Sequence, residues 1–208
     1  MKKTAFVIID MVYDFTNPQG RVYYADNAKI MPKVQRALEF CRSQNMLIIF
    51  VQHTHRANKP DKNLVGMRPN CIEGTGGENI DPRLEVDYEK DYIIKKRRYS
   101  AFFGTDLDLV LREHKIENVV MVGTKTNCCV RATVTDAYYL DYNAVVLSDC
   151  VCTNSEVIND VHLTDIKKYL GTVLTLEEFE QKISQGILLA PRKIIEGQTF
   201  VLKENDAI

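Results

Sequence analysis

Val119-Val120-Met121-Val122-Gly123-Thr124-Lys125-Thr126-Asn127-Cys128-Cys129-Val130 is the stretch that decides the fold of this chain. It opens as a β-branched-rich apolar run without polar alternation, as expected of a strand covered on both faces. A short polar turn follows, and then Val130–Tyr142, where Val130, Val134, Ala137 and Tyr138 recur at helical spacing. Phe6–Ile9, Met46–Val51 and Ala144–Ser148 are further buried-strand runs, with Tyr92–Lys95 and Gly171–Leu174 as weaker ones. Between them lie helical patterns. Lys29–Gln44 carries Ile30, Val34, Ala37, Leu38 and Cys41 on one stripe, with Pro32 expected in the first turn. Thr105–His114 opens with Thr-x-x-Asp, read as a cap, and Ser155–Leu170 and Leu176–Ile183 follow. Strands alternating with helices predict an α/β fold of three layers, α/β/α, around a central, mainly parallel sheet of about six strands.

The chain has 208 residues, enough for one domain with its own core. The expected division is a domain over residues 1–185, with 186–208 as its mostly extended C-terminal extension. Arg56–Pro82, rich in Pro, Gly and Asn, is expected to form a long loop over the sheet edge. A formal charge of −1 and a pI near 6.4 give no electrostatic reason to expect nucleic acid or a membrane surface, and no apolar run approaches a membrane span. The six cysteines lack C-x-x-C spacing, so a reducing cytoplasm is expected rather than a disulfide scaffold or zinc ribbon.

In such sheets ligands collect at the carboxyl ends of the strands. That rule directs attention to Asp10, to His53 and His55, to Lys96 and to the turn Gly123–Cys129. A cysteine at the start of a helix feels the positive end of the helix dipole, which favours the thiolate. The same turn offers backbone N–H groups to an oxyanion. Taken singly, Cys129 reads equally as a buried structural cysteine and Asp10 as a cap or turn residue. The basic run Lys95-Lys96-Arg97-Arg98 reads equally as a solvated face.

A resemblance joins these positions. Asp10-Met11-Val12-Tyr13-Asp14-Phe15 resembles the D-x-Q-x-D-F opening of the isochorismatase-like cysteine hydrolases, departing from it at Val12. Lys96 to Thr105 is similar to their K-x-x-x-S-A-F-x-x-T stretch, and Gly123 to Val130 to their G-x-x-T-x-x-C-V turn. Thr133, Asp136-Ala137, Tyr142, Asp149 and the loop Gly74-Thr75-Gly76-Gly77 also fall where that family places such residues. The similarity runs from about residue 5 to about residue 180. It implies a Rossmann-like layer and a catalytic triad of Asp10, Lys96 and Cys129. It further implies a cis peptide at Thr124–Lys125, with the amides of Lys125 and Cys129 as oxyanion donors. Cys128 is set aside because Cys129 directly precedes Val130, as in the motif.

The expected chemistry is hydrolysis of a C–N bond in a small amide, carbamoyl or ureido substrate through a thioester. Phe15, His53, His55, Arg56, Tyr99 and Phe102 are the candidate pocket residues, with Arg56 placed to hold a carboxylate. His53 and His55, at i and i+2, invite a metal. The family's nicotinamidases, however, show an aspartate where His53 stands, and no histidine between residues 56 and 113 completes a set. The expectation is therefore no metal and no cofactor. A zinc-containing nicotinamidase is the alternative within the family, and a non-catalytic small-ligand-binding α/β domain is the rival from outside it. Against it, the first strand-to-helix turn lacks G-x-G-x-x-G, and no phosphate-binding G-x-x-x-x-G-K-[ST] occurs. A homodimer or homotetramer is expected from the resemblance alone.

Overall fold

The computed structural model describes residues 3–187 and 189. Six strands form one parallel sheet: β1 (Thr4–Ile9), β2 (Leu47–His53), β3 (Tyr92–Lys96), β4 (Asn118–Thr124), β5 (Asn143–Cys152) and β6 (Thr172–Leu174). Their order across the sheet is β3-β2-β1-β4-β5-β6. The helices are α1 (Tyr13–Thr16), α2 (Asp26–Ser43), α3 (Leu107–Glu113), α4 (Arg131–Tyr139), α5 (Glu156–Asp165) and α6 (Leu176–Ser184).

Alternation inside each apolar run explains the two-sided core. Phe6 and Ile8 of β1 pack with Val34 and Leu38 of α2 and Phe179 of α6. Ala5, Val7 and Ile9 of the same strand pack with Leu107 of α3, Val134 of α4 and Leu163 of α5. Val120 and Val122 of β4 join the first cluster, and Val119 and Met121 the second. A strand buried on both faces needs apolar residues at every position, which is why its sequence shows no polar alternation.

All six strands expected from the sequence are present; the helix ends differ in detail. Helix α2 starts at Asp26, so Pro32 is its seventh residue and not a first-turn proline. The ring's fixed φ is compatible with a helix, and the cost is one missing N–H. The anticipated Thr-x-x-Asp cap is also corrected. The residue before α3 is Asp106, which makes no side-chain cap bond, although the Thr105 hydroxyl accepts the Leu107 N–H at 3.2 Å. The Asp108 carboxylate turns instead to Arg112 and Tyr142. Of the expected C-terminal extension, residues 188 and 190–208 lie outside the described residues.

The chain runs outward from β1 to β2 and β3, then returns to lay β4 on the other side of β1. The reversal opens a crevice at the carboxyl ends of β1 and β4, the place where open parallel sheets bind ligands. Gly123 lets the two strands meet there. Its φ is 109°, and a Cβ would fall 2.1 Å from the Ile9 carbonyl oxygen. Gly123→Ala is expected to destabilise the fold by about 2–3 kcal/mol, read as a lowered denaturant midpoint with an unchanged m value.

Candidate functional site

Asp10 leaves β1 in a left-handed conformation, φ 56°, while its N–H still bonds the Val51 carbonyl at 2.9 Å. That turn aims its carboxylate into the crevice, where its oxygens are fully buried. Lys96 ends β3 in register with His53 of β2. Strand β3 lies two strand spacings of about 4.8 Å from β1, and only a long stem brings a charge across that gap. The Lys96 ammonium stops 2.8 Å from Asp10 Oδ2, 2.9 Å from His53 Nδ1, 3.0 Å from the Arg98 carbonyl and 3.4 Å from Cys129 Sγ. Three N–H bonds face four acceptors, so one neighbour at a time is held by charge alone. Both side chains of the Asp10–Lys96 pair have 0% exposure.

Cys129 sits in a π-helical turn, Thr126–Val130, that leads into α4. The Lys125 carbonyl accepts the N–H groups of Cys128 and Val130, each at 3.1 Å. The Thr124–Lys125 peptide bond is cis. The Thr133 hydroxyl donates to the Cys129 carbonyl at 2.7 Å and accepts the Ala101 N–H at 3.0 Å. It thereby ties the cysteine turn to the segment after β3. Cys128, one residue earlier, is half-buried and lines a separate cleft.

Electrostatics correct one expectation. The helix terminus was expected to favour a Cys129 thiolate, yet burial and the neighbouring Asp10 charge together push the thiol pKa up, against the pull of Lys96. Burial at 7% exposure removes the water a thiolate needs. Burial likewise raises Asp10 above the ordinary carboxylate range, opposed by the Lys96 ammonium, the Cys129 thiol and the His53 amide. The Lys96 pKa rises despite its burial, because Asp10 and Cys129 both favour the cation. The resting arrangement is a neutral thiol beside an ion pair.

The pocket candidates separate. The Phe15 and His53 rings face each other with centroids 6.2 Å apart, close to Lys96. His55 is sealed, with Nδ1 2.8 Å from Asp61 Oδ2 and Nε2 3.0 Å from His53 Nε2. Phe102, half-buried, stacks on Tyr142 at 6.0 Å and packs against the second core cluster. Arg56 is exposed beyond β2, and Tyr99 is exposed on the wall of the Cys128 cleft. Among the described residues no group of three or more His, Cys, Asp or Glu side chains is placed to hold a metal ion. The ring nitrogens of His53 and His55 lie against Lys96, each other and Asp61.

Sequence reasoning missed four contributors. The Arg98 carbonyl anchors Lys96, and Thr133 anchors the cysteine turn. Asp61 lies in the long loop and carries no motif of its own. Asp14, buried, accepts the Cys71 and Arg21 N–H groups at 2.6 and 3.1 Å and so fastens the loop onto the end of β1. Further bonds from Asp14 N–H to the Gly77 carbonyl and from Asp81 N–H to the Met11 carbonyl, both 2.9 Å, close the seam. Only the aspartate of the opening motif hinted at this. A cleft of 1410 Å³ between Tyr13, Gln52, Ile80 and Tyr88 contains none of Asp10, Lys96 or Cys129. The Cys128 cleft, 570 Å³, adjoins the cysteine turn from outside.

A family model described as the isochorismatase domain matches residues 4–178. A protein of Arabidopsis thaliana named "Probable inactive nicotinamidase" is 31% identical over 192 residues, covering 88% of this chain and 97% of that one. A ureidoacrylate amidohydrolase of Caulobacter segnis is 30% identical, covering 92% of this chain and 89% of its own length. The crystal structure of an isochorismatase-like hydrolase from Alkaliphilus metalliredigens superposes with a TM-score of 0.81 at 33% identity. It covers 87% of this chain and 99% of that one.

Proposed function

This chain belongs to the isochorismatase family of hydrolases, and from that premise we propose that it cleaves a C–N bond of a small amide, carbamoyl or ureido substrate with Cys129 as nucleophile. The observation that carries this reading is the Lys96 ammonium, held at once 2.8 Å from a buried carboxylate and 3.4 Å from a buried sulfur. An ion pair without solvent is costly unless it has work to do, and a thiol beside it is a nucleophile beside its base.

Asp10 takes the Cys129 thiol proton as sulfur attacks the substrate carbonyl carbon. Its pKa, raised by burial against the pull of Lys96, makes it a stronger base than an ordinary carboxylate. Lys96 keeps its charge throughout and stabilises first the carboxylate and then the thiolate. The N–H groups of Lys125 and Cys129 receive the oxyanion as the carbonyl carbon becomes tetrahedral. The amine leaves with the proton from Asp10, and a thioester remains on Cys129. Water, deprotonated by Asp10, then attacks the thioester and frees the acid and the thiol. Phe15 and His53 stand beside this centre as pocket walls. Arg56 and Tyr99 are proposed as outer substrate contacts.

The Arabidopsis relative is named inactive, which keeps a ligand-binding role as the rival. The Lys96 ammonium, in reach of both the Asp10 carboxylate and the Cys129 sulfur, favours the enzyme. An ammonia-release screen over nicotinamide, ureido acids, carbamoyl amides and aliphatic amides tests this, with the Cys129 acyl adduct sought by intact-mass spectrometry. Ligand binding without ammonia release or adduct favours the rival. The pH profile has a definite sign. Attack needs Asp10 ionised, so kcat/KM falls as pH drops through its pKa, and burial places that acid limb above the ordinary carboxylate value of 3.8.

Exposed Tyr138 and Tyr139 at the end of α4, Val157 and Val161 on α5 and Tyr169 beyond it support a homodimer or homotetramer, checked by light scattering. Six unpaired cysteines suit a reducing cytoplasm. Among the described residues no helix is long and apolar enough to cross a membrane.

A further inference from the structure

The triad chemistry uses neither His55 nor Asp61, yet both continue a line of contacts that starts at the Lys96 ammonium. Lys96 Nζ lies 2.9 Å from His53 Nδ1, His53 Nε2 lies 3.0 Å from His55 Nε2, and His55 Nδ1 lies 2.8 Å from Asp61 Oδ2. The direction of every bond in this line follows from its first member. An ammonium donates and never accepts, so His53 Nδ1 carries a lone pair. A neutral His53 then has its hydrogen on Nε2 and donates it to His55 Nε2. That nitrogen is therefore a lone pair too, and the His55 hydrogen sits on Nδ1, facing the Asp61 carboxylate. No other assignment of two neutral rings satisfies all three contacts.

His53 is held neutral by its surroundings. Burial first, and then the positive charges around it, that of Lys96 above all, lower its pKa to about 2. Asp61 is the far anchor. Its other oxygen caps the short turn Lys62–Leu64 by accepting the Asn63 N–H at 3.0 Å, with Arg98 3.4 Å away. Its side chain is 8% exposed, so water competes weakly for the His55 hydrogen. A carboxylate that fixes an imidazole tautomer is a known device of triads. Here two rings relay that choice over three contacts.

We propose that His53, His55 and Asp61 form a positioning relay, in which the Asp61 carboxylate sets the tautomers of both imidazoles and thereby presents a lone pair that holds the Lys96 ammonium against Asp10 and Cys129. The relay occupies the place where two histidines at i and i+2 suggested a metal. It rests on the proposed cysteine chemistry only for its kinetic consequence; the tautomers are a property of the folded chain alone. Asp61→Asn is the informative change. An asparagine that keeps its oxygen on the Asn63 N–H turns its NH2 toward His55 Nδ1. His55 then shifts its hydrogen to Nε2, His53 to Nδ1, and that hydrogen confronts the ammonium.

Long-range 1H–15N correlation spectra of histidine-labelled protein test the assignment directly, since the chain has only four histidines. At pH 7 the expected signals are neutral Nε2–H for His53 and neutral Nδ1–H for His55. In a Cys128→Ser background, peptide mass spectrometry then follows iodoacetamide alkylation of Cys129, with no substrate needed. Asp61→Asn is expected to slow it about tenfold, and Asp61→Glu to stay within about twofold of the parent. A cationic ring, the opposite tautomers, unchanged alkylation in Asp61→Asn, or one equivalent of added Zn2+ taken up by both rings overturns the relay. If Cys129 resists alkylation in the parent protein itself, the cysteine chemistry fails while the spectra still decide the tautomers.

Discussion

Cys129→Ala is expected to abolish turnover, with kcat falling about 10⁴-fold or more, while the folded state persists. The size follows from the loss of the proposed nucleophile: groups acting as one catalytic unit fail together, and what survives is binding and oxyanion stabilisation. The fold tolerates the change because the sulfur's polar neighbours, Lys96 at 3.4 Å and Asp10, keep each other when it is removed, and Lys96 keeps His53 and the Arg98 carbonyl as well. The turn is held by backbone bonds from the Lys125 carbonyl and by the Thr133 hydroxyl, none of which involves sulfur. Ammonia release measured beside thermal unfolding separates the two effects. Retained turnover in a folded Cys129→Ala protein sinks the mechanism, and Cys128→Ser is the matched control, since that thiol faces another cleft.

Lys96→Met is expected to cost both activity and stability. Methionine fills much of the space of the lysine stem but removes the charge from a site with no exposure. Asp10 is left buried without its counter-ion, and breaking a buried pair from one side costs about 3–5 kcal/mol. For a chain of this size that corresponds to a melting temperature lower by about 10 °C. The pH dependence carries the signature. Without Lys96 the folded variant holds the Asp10 proton more tightly than the unfolded chain does. Its stability is therefore best retained at acid pH and lost as pH rises through the raised folded pKa. Adding Asp10→Asn is expected to recover part of the loss by removing the stranded charge, without restoring activity. A double variant no more stable than Lys96→Met shows that the lysine stem matters through packing and not through charge.

The layer order was legible in the sequence because a strand buried on both faces leaves an unmistakable record. Phe6 to Ile9 and Val119 to Gly123 are apolar at every position, since each face meets its own helices. Asp10, Lys96 and the Cys129 turn were marked by their places at strand ends, but singly each read equally as a cap, a solvated face or a buried cysteine, and only the resemblance joined them. Local rules failed where distant parts of the chain competed. The dipole rule pointed to a Cys129 thiolate, yet burial and the Asp10 charge raise the thiol pKa. The cap rule gave Asp108 to its own helix, but the Tyr142 hydroxyl reached it from 34 residues away.

What the sequence by itself determined is thus the sheet, its two covering layers and the residue types that can react. Periodicity and the cost of buried charge are local, and both can be read along the chain. Only the tertiary structure decided which of those residues meet. Strand order, absent from any local pattern, places Lys96 two strands from Asp10 and lets its stem close the gap. The folded loop brings Asp61 to His55, and that contact gives each histidine a direction that spacing alone could not supply.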